Sequence, residues 1–297
     1  MDILCRSMLF DGKAIVTAID STETVETARK IHGTSVSATN ALARVLTMGV
    51  FMSAGFKGLK HKLTLIVDGG GKGGSIIVCG DCGSKVRCRM DEPRCFEGEA
   101  LRPVEEVIGA NGRLTVIKDF GLKEPYNGTV KLVNGNVDTD FSYYFTVSEQ
   151  LPSAIATGVA FNPDGSVRAA GAVIVQPMPN CPQDIIAKLV DVVGHFSDMD
   201  KIVATHTPTK LIEEYFGEFD SKPLQPAYPA YVCSCSREAM ERVLISMGKK
   251  DALEIIEERG EIEFHCDFCN KTQVFTKEDV EKIFEEADDK NNGSDKG

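Results

Sequence analysis

Val232-Cys-Ser-Cys-Ser-Arg-Glu238 and Gly260-Glu-Ile-Glu-Phe-His-Cys-Asp-Phe-Cys-Asn270 carry two close cysteine pairs, Cys233 with Cys235 and Cys266 with Cys269, separated by 30 residues. A structural zinc site needs four soft ligands at tetrahedral vertices about 2.3 Å from the ion, and two short-spaced pairs on separate turns supply that set. Aromatic and β-branched residues flank the pairs (Tyr231, Val232, Phe264, Phe268, Val274, Phe275), and the intervening sequence reads as two short helices punctuated by Gly248 and Gly260. Two other readings compete: four buried apolar cysteines, or a shell in which His265 replaces one sulfur. Because four sulfurs already complete the tetrahedron, the spacing predicts one zinc ion per chain on Cys233, Cys235, Cys266 and Cys269.

Such a site is also a stability device. A module of this size, rich in acidic residues, has a small core and is marginal alone. Structural zinc contributes on the order of 10–16 kcal/mol near neutral pH, against a typical domain stability of about 5–15 kcal/mol. Zinc holds its ligands as thiolates, the form that attacks peroxide or hypochlorite. Sulfurs joined in a disulfide ligate zinc poorly, so oxidation, metal loss and unfolding are linked. Cys266–Cys269 closes readily at its spacing. In an extended Cys233–Cys235 segment the Cα atoms lie near the upper limit of about 6.8 Å, which predicts a strained, easily reduced bridge.

Upstream, residues 1–176 read as a mixed α/β sheet domain. Leu63–Asp68, Ser75–Cys79, Leu114–Asp119, Thr129–Val133 and Phe141–Val147 are strand-like, and Asn111-Gly112, Asn127-Gly128 and Asn134-Gly135 are tight-turn signals. Thr24–His32 and Val36–Met52 read as helices. Strict βαβ alternation is absent, which argues against a doubly wound sheet. Pro177, Pro179 and Pro182 mark a boundary, and residues 177–231 form a helical linker. In it Gln183–Phe196 carries Ile185, Ile186, Leu189, Val190 and Val193 at helical spacing, and Thr207-Pro208 opens a second helix with Leu211, Ile212, Tyr215 and Phe216 apolar. Those faces are expected to dock on the N-terminal sheet. Residues 232–287 are the zinc-binding module, its last helix capped by Thr276 with Asp279 three residues on, and residues 288–297 read as a disordered tail. The fold class is α+β.

The chain has 297 residues, ten cysteines and a net charge of −11. Asp251 to Gly297 holds 15 acidic and 6 basic residues, a net of −9, leaving −2 on the other 250. A phosphate backbone would be repelled from that end. No apolar run reaches the roughly 18 residues of a membrane span, and Asp2, Arg6, Asp11 and Lys13 interrupt what would be the core of a secretory signal. The expected compartment is the cytoplasm, where cysteines serve as metal ligands, redox groups or small hydrophobes rather than as structural disulfides.

The two cysteine-bearing stretches, with Phe275, resemble the redox-regulated 33-kilodalton heat-shock chaperone family. So does Val147-Ser-Glu-Gln-Leu-Pro-Ser-Ala-Ile-Ala-Thr-Gly-Val159, and order and length match across nearly the whole chain. Ala170-Gly-Ala-Val-Ile-Val-Gln-Pro-Met-Pro179 looks like the family's end-of-domain segment with altered residues. The resemblance implies a cytoplasmic holdase, not an enzyme, that needs no ATP and is inactive when reduced and zinc-bound. Under oxidative stress the four cysteines would form two disulfides, Cys233–Cys235 and Cys266–Cys269, zinc would leave and the linker unfold. The exposed apolar surface would capture unfolding client proteins, as a homodimer, and clients would pass to ATP-driven foldases.

Cys79-Gly-Asp-Cys82, with Cys88 and Cys95 downstream, leaves three readings open: strand and turn cysteines, an accessory dithiol, or a second metal site. A thiol-disulfide oxidoreductase using Cys79 and Cys82 is therefore one alternative function. A zinc-ribbon nucleic-acid binder is another, and the local charge of −9 speaks against it. Gly69-Gly-Gly-Lys-Gly-Gly74 departs from the phosphate-loop pattern because Gly73 follows Lys72, and it reads as a flexible hairpin turn. His32, His61, His195, His206 and His265 show no triad spacing, and Cys5 and Cys181 are isolated.

Overall fold

The computed structural model describes residues 1–293, with side chains described through residue 287. It divides into two compact units, Met1–Val232 and a second that begins at Cys233. The expected linker therefore belongs to the first unit.

In chain order the first unit contains β1 (Ile3–Leu9), β2 (Ala14–Asp20), α1 (Thr22–His32), α2 (Val36–Ser53), β3 (Lys62–Asp68), β4 (Ile76–Asp81), β5 (Lys85–Met90), α3 (Val104–Ile108), β6 (Arg113–Asp119), β7 (Tyr126–Lys131), α4 (Val137–Val147), β8 (Ala154–Phe161) and β9 (Val167–Pro177). The linker adds α5 (Gln183–Val193), α6 (Met199–Thr205), α7 (Pro208–Phe216), β10 (Lys222–Pro223) and β11 (Ala230–Tyr231). One antiparallel sheet has the order β10-β1-β2-β9-β8. The second runs β11-β5-β4-β3-β6-β7, antiparallel except where β11 lies parallel to β5. Between them runs α2, packed on β3, β4 and β5 of one sheet and on β8 and β9 of the other. It is buried almost all round, with Leu42, Val45, Leu46 and Met48 in the core.

The expected docking of the linker is what the structure shows. Leu189, Val192, Phe196, Met199, Ile202, Leu211, Ile212 and Phe216 form one buried cluster with Leu9, Val16, Val173 and Val175 of the first sheet. Thr207 caps α7, its side chain accepting from the Lys210 N–H, and Pro208 takes the first turn. The helix α6, absent from the sequence reading, lies so close to β8 that a Cβ on Gly158 would stand 2.4 Å from the Met199 carbonyl oxygen. A charged knot fixes it there. Arg44 of α2 donates to the Thr157 carbonyl and lies 2.6 Å from Asp200 of α6, which also accepts from the Val159 N–H at 2.8 Å.

Three local expectations are corrected. Phe141–Val147 is the second half of α4, not a strand. Val137, Phe141, Tyr144 and Phe145 recur at helical spacing and are buried, and Asn136 caps the helix by accepting from the Asp138 and Thr139 amides. Asn127-Gly128 lies inside β7 rather than in a turn. Gly128 is there for clearance, since a Cβ would meet the Tyr144 ring at 3.1 Å. Gly69–Gly74 does connect β3 to β4, but it is pinned: Gly71 and Gly73 donate to the carbonyls of Ile108 and Val107.

The second unit holds α8 (Arg237–Met247), α9 (Lys249–Arg259), β12 (Ile262–His265), β13 (Thr272–Phe275) and α10 (Lys277–Gly293). Met240, Leu244, Ala252, Ile256, Ile262, Phe275, Val280 and Phe284 form its small core. Thr276 and Asp279 cap α10 reciprocally, at 3.0 and 3.3 Å. The tail expected from residue 288 overlaps this helix as far as Gly293, and residues 294–297 lie outside the described residues. Among the described residues no helix is long and apolar enough to cross a membrane.

Candidate metal centre

The hairpin of β12 and β13 pairs Ile262 with Phe275 and His265 with Thr272, leaving residues 266–271 as its loop. That loop is a tight knuckle. The Cys269 and Asn270 amides donate to the Cys266 carbonyl at 3.2 and 2.8 Å, and Cys266 donates to the Lys271 carbonyl at 3.0 Å. Asn270 takes a positive φ of 53°, which asparagine tolerates better than most side chains. The Phe268 amide donates to the Cys266 sulfur, and the Cys235 amide to the Cys233 sulfur. Both cysteine pairs thus present sulfurs oriented by backbone donors.

The four sulfurs converge within 4.8 Å of one another. Cys233 Sγ lies 3.7 Å from Cys266 Sγ, and Cys235 Sγ lies 3.2 Å from Cys269 Sγ. Ligands about 2.3 Å from a central zinc stand about 3.8 Å apart along a tetrahedral edge. A disulfide would bring them to about 2.05 Å, so all four cysteines are free thiols. The Cys233–Cys266 separation matches that edge and the Cys235–Cys269 separation is shorter, and four soft donors converging in this way suit a metal ion of zinc type. Burial pushes the Cys235 and Cys233 thiols up. Burial presses on Cys266 too, yet it lies below its ordinary value because the Phe268 amide and the neighbouring thiols donate to its sulfur. Four thiolates together need a cation, and metal binding releases their protons.

His265, the competing ligand, is outside this group and hydrogen-bonds Thr272 at 3.2 Å. Sequence reading missed Arg237. Two residues past Cys235, it lies 2.9 Å from Asp279, donates to the Val274 carbonyl and covers the Phe275 ring at 4.3 Å. It ties the first cysteine pair to the hairpin and to α10. Its i,i+4 pair with Glu241 at 3.7 Å is local, but no spacing rule would have found Val274, Phe275 and Asp279, which lie 37 to 42 residues away.

Among the described residues, Cys79, Cys82, Cys88 and Cys95 join no metal-ligating group. The Cys82 thiol donates to the Phe56 carbonyl at 3.1 Å and Cys79 faces Thr64 at 3.9 Å. Cys88 is fully buried in β5, and burial pushes its thiol up to about 12. Reactive thiols have depressed values instead, so the hairpin lacks an activated nucleophile at Cys88.

A family model described as Hsp33 protein matches residues 2–276. The 33 kDa chaperonin of Clostridium perfringens (strain ATCC 13124) is 41% identical over 295 residues, covering 97% of this chain and 92% of that protein. That of Geobacillus sp. (strain WCH70) is 36% identical over 294 residues, covering 98% and 99%. The crystal structure of a 33 kDa chaperonin, a heat shock protein 33 homolog from Thermotoga maritima, aligns with a TM-score of 0.84 at 28% identity, covering 97% of this chain and 99% of that one.

Proposed function

The chain belongs to the Hsp33 chaperone family, and from that premise we propose that it is a redox-regulated holdase that needs no ATP. In the reduced state Cys233, Cys235, Cys266 and Cys269 hold one zinc ion per chain, which locks the second unit and keeps the chaperone silent. The observation that carries this reading is the convergence of four free thiols within 4.8 Å in a unit with so small a core.

The switch is two thiol oxidations. A thiolate attacks a peroxide oxygen, the O–O bond breaks, and a sulfenic acid forms. The partner thiolate then attacks that sulfur and expels the oxygen as water once protonated. Each peroxide takes two electrons from one cysteine pair, and two disulfides consume two. The nearest sulfurs in the folded unit belong to different pairs. Opening of the unit lets the pairing that the family resemblance implies form, Cys233–Cys235 and Cys266–Cys269.

Cys233 directly follows Val232, whose amide donates to the Val86 carbonyl and extends the β11–β5 pairing. Loss of order at Cys233 frays this strap and then the linker behind it. Linker release uncovers the apolar faces of α5 to α7 together with the sheet beneath, the surface that non-native chains bind. In the cytoplasm the oxidised form acts as a homodimer and passes its clients to ATP-driven foldases. It chaperones and does not turn over a substrate.

The deciding experiment follows citrate synthase aggregation with reduced and peroxide-treated protein while zinc release and disulfides are tracked. One equivalent of zinc released, two local disulfides by mass spectrometry, and aggregation suppressed only after oxidation are expected. Metal-free reduced protein, or suppression indifferent to oxidation, sinks the reading. Turnover in an insulin-reduction assay would favour the oxidoreductase alternative at Cys79 and Cys82.

A further inference from the structure

The motif Ser148-Glu-Gln-Leu-Pro-Ser153 has no part in the metal switch, yet it walls a cleft of about 250 Å³ at the C-terminal end of α2, within the first unit. Arg6, Thr17 and Gln176 of the first sheet line one side of it. Arg6 pairs with Thr17 across β1 and β2, and Ile15 pairs with Gln176 across β2 and β9, so these side chains share one face of the sheet. Ile15, Phe51, Phe145 and Leu151 make the rest of the cleft apolar.

The charges do not balance. Lys118 is neutralised by Glu149, 2.5 Å from its Nζ, and the same carboxylate oxygen accepts from the Tyr144 hydroxyl at 2.6 Å. Arg6 has no such partner. Its Nε is buried and makes no hydrogen bond among the described residues, and none of their carboxylates forms an ion pair with it. A buried Nε–H left without an acceptor is costly, and the planar fork of this half-buried arginine fits a carboxylate bidentately.

We propose that this cleft binds a small monocarboxylate with an apolar body, the carboxylate on the Arg6 fork and the body against Ile15, Phe51, Phe145 and Leu151. One unpaired positive charge calls for one negative charge; inorganic phosphate would bring in charge that nothing else in the cleft offsets. At roughly 30 Å³ per water-sized group, the volume holds about eight non-hydrogen atoms, the size of hexanoate or benzoate. Gln150 takes a positive φ of 53° between the two residues of the motif that line the cleft, Glu149 and Leu151. This site does not rest on the redox reading.

The test uses the full reduced, zinc-loaded chain, titrated by calorimetry and by amide chemical shifts with hexanoate, benzoate, benzamide and inorganic phosphate. Both acids should saturate and move the amides of Arg6, Ile15, Phe51 and Leu151. Benzamide should bind about 10- to 100-fold more weakly than benzoate, the worth of a hydrogen-bonded charge. Phosphate should not saturate, and Arg6→Gln should lose the same factor for benzoate. The proposal falls if neither acid saturates, if benzamide matches benzoate, if phosphate competes, or if folded Arg6→Gln binds as before. Should Arg6→Gln not fold, the acid-against-amide comparison on the unaltered chain decides.

Discussion

The linker and the metal module adjoin each other in the chain and are both built largely of short helices, yet different forces hold them. The linker helices lay eight buried apolar side chains on a sheet that is already part of a larger core. The module has a similar number of buried side chains but no sheet beneath them beyond a two-stranded hairpin, and its second resource is a cluster of four thiols. Hydrophobic burial is indifferent to oxidants; thiolate ligation is not. On the proposed function, the redox signal enters through the module, and the linker responds by losing its neighbour in the chain.

The largest expected effect tests that asymmetry. Stripping the metal with a chelator, or Cys266→Ser, removes on the order of 10 kcal/mol or more, beyond what the module's core can supply. Hydrogen exchange should show protection lost across α8, α9 and the β12–β13 hairpin while β1, β2 and β9 keep theirs. A module that stays protected without metal would erase the difference between the two regions. Undiminished protection in α5 to α7 would leave the difference intact but cut the proposed coupling.

The next perturbation releases the linker without touching a cysteine. Phe216 is fully buried against the first sheet and stacks near Phe196. Phe216→Ala should cost about 3–5 kcal/mol of docking. Reduced, zinc-loaded protein should then bind hydrophobic dye and suppress aggregation in part. Dye binding without suppression would mean that linker release is not the activating event.

A smaller effect comes from the knot at α6. Asp200→Ala removes the partner of Arg44 and the acceptor of the Val159 amide. Asp200 is half exposed, at 52% for its side chain, so about 1–2 kcal/mol is expected rather than the cost of a fully buried pair. Faster exchange confined to α6 and β8 is the readout, and an unchanged rate there would show that the glycine contact at Gly158 alone holds the helix.

What the sequence disclosed follows the same division. The convergence of the four cysteines was legible because its chemistry is local: two pairs at short spacings. The linker faces were legible from helical periodicity and from Thr207-Pro208. The sheet under the linker was not. β2 reads Ala-Ile-Val-Thr-Ala-Ile-Asp, buried on both faces and so without alternation, and β8 and β9 are rich in alanine and glycine, poor strand formers chosen here to let α6 approach. In α4, aromatic residues outweighed a helical period that Asn136 would have signalled. Arg44 with Asp200 and Arg237 with Asp279 are tertiary pairs that no local pattern encodes.

Protons act on the two regions differently. Glu26 of α1 is held at about 2, against an ordinary 4.5, because Arg29 donates to it twice at 2.8 Å and the Val167 amide of β9 donates at 3.0 Å. A carboxylate with a depressed value in the folded state contributes stability that is fully present above pH 4.5 and is lost as pH falls toward 2. Glu26→Gln should therefore lower the urea midpoint of the first unit at pH 7 by a small amount, and the two proteins should converge as the pH drops through that window. The module answers to pH by another route, since protons displace metal from thiolates, so its unfolding on acidification should be the same in both proteins. If Glu26→Gln instead shifts the acid release of zinc, the two regions are coupled more tightly than separate holding forces allow.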